Sequence, residues 1–153
     1  MAALDKKIPP LVLLGAAAAG MWGLSMVLPG FALPNALRLL TAMILLVAGD
    51  GVCLAGVVEF SRARTSVDPR KPEASSSLVT SGIYSVTRNP MYVGFTSILL
   101  AWAAWLSSPW SLLIVGAFVV YLDRFQIQPE ERALEEIFGH IFADYCRKVR
   151  RWI

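Results

Sequence analysis

Two short stretches of this 153-residue chain carry residue types that an apolar helix does not need. The first is Arg88-Asn89-Pro90-Met91-Tyr92-Val93-Gly94, at the threshold of an uncharged run that reaches Leu122. Asn89 is a strong N-cap type and Pro90 suits the first helical position, so these two residues can simply start a helix. Arg88 at the boundary and Tyr92 one turn inside are left without a reason. A helix N-terminus presents free backbone N–H groups and the positive end of the dipole, and an arginine beside it makes a site for a carboxylate or phosphate. The alternative for Arg88 is a side chain that snorkels to the membrane interface.

The second stretch is Gln128-Pro129-Glu130-Glu131, where Pro129 again opens a helix and the glutamates occupy its first turn. Acidic residues there complement the dipole. On a helical wheel, however, Glu130 and Glu131 flank the apolar face, whereas Glu135 and Glu136 lie farther round toward solvent. Two carboxylates at the edge of a buried face need a cationic partner, either a protein arginine or a ligand ammonium.

Asp50, between Gly49 and Gly51, is a third candidate, with Glu59 nearer the end of the same apolar run. An ionisable group inside a span costs on the order of 3 kcal/mol to insert and is a functional hypothesis by default. Asp50 has two other readings, a pair with an internal arginine or a protonated carboxyl. His140 is the single histidine, which argues against a histidine metal centre or a Ser-His-Asp triad. Cys53 and Cys146 show no metal-ligand or disulfide spacing and are expected to be inert, so no metal is expected.

The elements that must position these residues are membrane helices. The chain is 56% hydrophobic and 16% charged, with a mean hydropathy of +0.58, outside the range of ordinary soluble domains. The first apolar stretch does not resemble a cleaved signal peptide and is expected to remain in the mature chain. Windows of about 20 apolar residues, broken by Pro29-Gly30, Pro34-Asn35 and Ser107-Ser108-Pro109, place four spans near 10–28, 36–60, 90–107 and 109–127. Ser108 is expected to cap the fourth, with Pro109 its first helical residue. Residues 129–152 read as a separate amphipathic helix, with Leu134, Phe138, Ile141, Tyr145 and Trp152 on its apolar side and His140 solvated on its polar side. The expected fold is therefore a single all-α integral membrane domain over 1–153, four transmembrane helices followed by a cytosolic amphipathic C-terminal helix.

Basic residues fix the expected orientation. Lys6 and Lys7, then Arg62, Arg64, Arg70, Lys71 and Arg88, then Arg132, Arg147, Lys148, Arg150 and Arg151 belong to one side, and only Arg38 lies in the opposite turns. Both termini should face the cytoplasm, and the cluster at 147–151 is placed to touch anionic headgroups. The short chain points to a prokaryotic inner membrane.

The segment LVTSGIYSVTRNPMYVG, followed one helical hairpin later by EERALEEIFGHIFADYCRKVRRWI, resembles the superfamily of isoprenylcysteine carboxyl methyltransferases and phospholipid methyltransferases. The resemblance covers residues 78–153. It implies an integral membrane enzyme that uses S-adenosyl-L-methionine, with Arg88, Asn89, Pro90, Tyr92, Gly94, Glu130 and Glu131 lining the cofactor pocket and an approach strand around Leu78, Val79 and Tyr84 covering the adenine. Arg88 and Glu131 would carry catalysis, and Asp50 or Glu59 would accept a proton if the acceptor is an amine. The partners implied are the lipid bilayer and a hydrophobic small-molecule or lipid acceptor, with no nucleic acid. Asn89 stands where many members have histidine, and Gln126-Ile127-Gln128-Pro129 stands where isoprenylcysteine enzymes tend to have a basic residue; Arg124 lies farther back. Carboxylate, thiol and amine acceptors therefore stay open. Two other classes compete: an NADPH-dependent membrane reductase of the sterol reductase type, against which the paired glutamates speak because they repel a pyrophosphate, and a non-catalytic membrane accessory protein.

Overall fold

The computed structural model describes residues 8–63 and 77–153. Lys6, Lys7, Arg64, Arg70 and Lys71, which entered the orientation argument, lie outside the described residues. The described chain is all-helical. Helix α1 (Pro10–Val27) and helix α2 (Asn35–Arg62) fill the first two apolar windows, each entered directly after a proline. A short 3-10 helix at Gly82–Ser85 precedes helix α3 (Pro90–Leu106). Helix α4 (Ser111–Leu122) passes through a π-helical segment (Asp123–Ile127) straight into helix α5 (Gln128–Phe138), and helix α6 (His140–Lys148) follows. Among the described residues, three helical runs are long and apolar enough to cross a membrane, namely α1, α2 and the run from Ser111 to Phe138, while α3 is a shorter apolar helix. The protein is an integral membrane protein.

Helix α3 is the centre of the bundle, with α2 on one side and α1 and α4 on the other. On α2 the buried positions are Ala42, Gly49 and Gly56, a seven-residue spacing of small side chains. That repeat keeps one thin stripe against a neighbour and lets backbones approach closely. A Cβ on Gly94 of α3 would overlap Cys53 Sγ and come within 2.6 Å of Gly49 O, so the crossing exists only because both positions are glycine. Polar groups inside it are satisfied locally: Ser97 Oγ donates to Leu45 O at 2.7 Å. On the other side of α3, Leu99 and Ala103 pack with Met21 of α1 and with Val115, Phe118 and Leu122 of α4. Much of the remaining surface of α2 is apolar and exposed, including Leu40, Ile44, Val47 and Leu54, which suits lipid contact.

The fourth span and the tail helix, expected as 109–127 and 129–152, are joined differently. Pro129 does not interrupt the helix, because it occupies the second position after the π-segment, where its missing N–H falls within the local change of hydrogen-bond register. The real break is Gly139, whose φ of 52° and ψ of −123° suit only glycine. The break resets the helical phase, so Phe142 is buried and Ile141 is exposed, the reverse of a continuous wheel. Phe142, Tyr145 and Val149 pack with Leu134 and Phe138, while Trp152 joins the main core. Ser108 does not cap α4: the helix starts at Ser111, whose N–H reaches Ser108 O at 3.2 Å.

Candidate functional site

Both motif stretches lie at one end of the bundle. Gln126 Nε2 ties the π-segment to Ile8 O at the start of α1 (2.7 Å), and Pro90 packs where α2 carries Gly56. The opposite end is closed by Trp110 Nε1 on Pro29 O at 3.2 Å and by the Phe31 N–H on Ser107 O at 3.1 Å.

Arg88 sits immediately before α3 and is mostly buried. One terminal nitrogen, Nη1, donates to Cys146 O and Val149 O, both at 3.1 Å, and so caps the C-terminal end of α6, where the dipole is negative. The other, Nη2, meets Glu131 Oε1 at 2.7 Å. Its Nε is buried and has no partner among the described residues. Arg151, from the chain end, grips the same carboxylate: Nη2 lies 2.5 Å from Glu131 Oε2 and Nε 3.2 Å from Oε1, while Nη1 reaches Asp123 Oδ1 at 3.0 Å. The hydrogen bond to Glu131 raises the Arg151 pKa above its usual value. Tyr92 OH donates to Glu130 Oε1 at 2.6 Å.

Asn89 occupies the N-cap position of α3 but makes no side-chain cap; its Nδ2 donates to Arg151 O at 3.0 Å. Thr87 forms an isolated parallel bridge with Arg150, and the Arg88 N–H reaches Arg150 O at 3.0 Å. The last residues of the chain are therefore laced to the residues just before α3 by main-chain and side-chain bonds together. The expected approach strand does not form among the described residues: residues 77–81 are irregular and Gly82–Ser85 is a 3-10 turn, with no strand among the described residues alongside to pair with them. Leu78 packs on the Phe142–Tyr145–Val149 cluster, Val79 is buried, and Tyr84 stands edge-on to Phe60 with its carbonyl taking the Tyr145 hydroxyl at 2.7 Å. Burial pushes the Tyr145 and Tyr84 hydroxyls and the Cys146 thiol above their usual pKa values.

Two candidates stand apart from the charged junction. Gly94 lies about 200° round α3 from Tyr92 and faces the α2 crossing. Asp50 is exposed on α2, one position past Gly49, among large apolar side chains that are also exposed. Glu59 is occupied in holding the loop before the 3-10 turn: Ser81 Oγ donates to it at 2.6 Å, and a Cβ on Gly82, where φ is +57°, would sit 2.5 Å from its Cδ. Arg124 is exposed and donates to Gln128 Oε1 at 2.9 Å.

Comparison with known proteins bears on the family of the chain. The model of the family described as phospholipid methyltransferase matches residues 37–141. The chain belongs to this family. Curated relatives include the protein-S-isoprenylcysteine O-methyltransferase B of Arabidopsis thaliana, 28% identical over 108 residues (69% of this chain, 53% of the relative). The Rattus norvegicus protein-S-isoprenylcysteine O-methyltransferase is 30% identical over 112 residues (72% and 39%). A Haemophilus influenzae protein described as uncharacterized is 43% identical over 63 residues, covering 41% of this chain and all of that protein. The chain spans about half the length, or less, of the isoprenylcysteine methyltransferases it matches. No solved structure matches.

For this member of the phospholipid methyltransferase family, sequence reading missed Arg151 and Asp123 as parts of the site. Arg151 was assigned to a surface cluster, and no spacing rule links the end of the tail to a position two helices earlier. A weak signal existed: Asp123 is the single charge between Arg88 and Arg124, and a charge at the end of an apolar run calls for a partner.

Proposed function

We propose that the protein transfers a methyl group from S-adenosyl-L-methionine to a hydrophobic or lipid-like acceptor at the cytoplasmic face of the membrane, with α1, α2, α3 and α4 as its four spans. The observation that carries this reading is the meeting of the two motif halves. Arg88 and Glu131, 43 residues apart, are in direct contact at the start of α3, with Tyr92 and Glu130 joined one turn further in. Family membership supports it, since the family is one of S-adenosylmethionine-dependent methyltransferases.

The residues fit such a cofactor. The unpartnered, buried Nε of Arg88 and the N-terminus of α3 suit a carboxylate. Glu130, oriented by the Tyr92 hydroxyl, suits an ammonium group, and Glu131 holds Arg88 in place. Leu78, Val79 and Tyr84, with Asn89 and Pro90, are the wall from which an adenine site would be built. The bound cofactor would supply an electrophilic methyl group. The chain's own work is then to align the acceptor, exclude water and hold the charges still. For an amine acceptor a proton must leave, and Asp50, exposed on α2 among apolar side chains, would take it from a group arriving through the bilayer. Carboxylate and thiolate acceptors need no such base.

Isothermal titration of the detergent-purified protein with S-adenosylhomocysteine tests the reading, with NADPH as control ligand. Binding of S-adenosylhomocysteine that is lost in Arg88→Ala and Glu130→Gln, with no binding of NADPH, is the expected result. Binding of NADPH instead would replace the methyltransferase reading by a reductase one, and binding of neither would leave a non-catalytic membrane protein.

A further inference from the structure

The feature that the proposed reading leaves unexplained is the π-helical segment together with the arginine at the end of the chain. In an uninterrupted α-helix, Asp123 and Glu131 would lie about 80° apart, at roughly 100° per residue over eight residues. Two carboxylates so offset would not be gripped by one planar guanidinium. The π-segment at Asp123–Ile127 contributes one extra residue to its turn, which removes about 100° and brings the two carboxylates to within roughly 20° of each other, two turns apart. Arg151 uses that alignment, with Nη1 on Asp123 Oδ1 at 3.0 Å and Nη2 on Glu131 Oε2 at 2.5 Å.

We infer that Arg151, braced by Asp123 across the π-segment, is a positioning residue for the cofactor site: it sets the orientation of Glu131 and, through Glu131, of Arg88. The inference rests on the proposed cofactor site and deepens it. The geometry argues for this chain of action over a simple tail anchor. The tail already has anchors of its own in the Thr87–Arg150 bridge, the Arg88 N–H bond to Arg150 O and the Asn89 bond to Arg151 O. None of these needs the Arg151 side chain. The guanidinium instead takes both oxygens of Glu131, and Oε1 is the same atom that receives Arg88 Nη2. A carboxylate held by two guanidiniums at fixed angles has one orientation; held by Arg88 alone, it can swing about that single contact, and Arg88 Nη2 then loses its fixed partner while Nη1 stays on Cys146 O and Val149 O. A lysine at 151 would keep the charge but lose the fork that spans two acceptors.

The test uses the full chain in detergent, with two readouts. The first is thermal stability without ligand for Arg151→Gln, Asp123→Asn and the double variant. The second is the dissociation constant of S-adenosylhomocysteine for wild type, the same three variants and Arg151→Lys. The inference expects Arg151→Gln to weaken binding on the order of tenfold and Asp123→Asn to weaken it by a few-fold. The double variant should be no weaker than Arg151→Gln alone, because the two residues act in series. Arg151→Lys should recover only part of the loss. Should Arg151→Gln not fold, Asp123→Asn carries the test, since it leaves the Arg151–Glu131 contact present but unbraced. Wild-type binding that persists at equal strength in Arg151→Gln, or in a folded Asp123→Asn when the former is not available, overturns the inference and leaves the cofactor site standing. Full recovery by Arg151→Lys also overturns it, since charge alone would then suffice. A wild type that does not bind S-adenosylhomocysteine overturns the proposed function, and this inference falls with it.

Discussion

The α2–α3 crossing and the charged junction before α3 lie within a few turns of each other, and they are held together in opposite ways. At the crossing the contribution of the sequence is the removal of side chains: Gly49, Gly56 and Gly94 let two backbones touch, and the attraction is close packing. At the junction the chain adds large charged side chains whose partners come from four separate parts of the sequence. Membrane interiors reward the first device because lipid offers no hydrophobic drive between helices. The second works only where charges can be paired and bonded at the end of the bundle. A closely packed crossing therefore supports a junction whose geometry depends on charge.

Substitutions separate the two devices. The largest effect is expected for Arg88→Ala, which leaves the α6 end uncapped and breaks a mostly buried ion pair with Glu131. It should cost about 3 kcal/mol, read as a fall in the thermal unfolding midpoint. Gly94→Ala comes next: its Cβ would overlap Cys53 Sγ and Gly49 O, and overpacking of this kind costs about 2 kcal/mol. That loss should be the same in low and high salt, and a salt dependence would contradict the assignment of the crossing to packing. Tyr145→Phe removes a buried hydroxyl bond to Tyr84 O and should cost about 1 kcal/mol, with loosening of the 3-10 turn visible as faster amide exchange around Tyr84. The smallest effect belongs to Asp123→Asn, whose bridge to Arg151 is partly exposed. About 0.5 kcal/mol is expected, vanishing toward 1 M salt as the charges are screened. A loss undiminished by salt would show that Asp123 acts through something other than its charge.

Much of the frame was legible before any coordinates. Apolar windows of bilayer length and Pro-Gly or Pro-Asn breaks mark α1 and α2, because a helix in lipid must be largely apolar and proline punctuates it. The Arg88–Tyr92 and Glu130–Glu131 stretches stood out because charge at a membrane boundary needs a reason. Less legible was the passage from α4 to α5. Pro129 reads as a helix start in one dimension, yet the π-segment lets the helix run through it, and only Gly139 ends the run. A wheel drawn across Gly139 places Ile141 inside, whereas the chain buries Phe142.

By itself, then, the sequence determined that this is an all-helical integral membrane protein with two polar stretches near one end of its helices, since composition and spacing act locally and need no partner. Tertiary structure alone decided which charges meet. Arg88, Asp123, Glu131 and Arg151 come together because a π turn, a left-handed glycine backbone and a returning tail set their angles and distances. Those depend on how helices pack and cannot be counted along the chain.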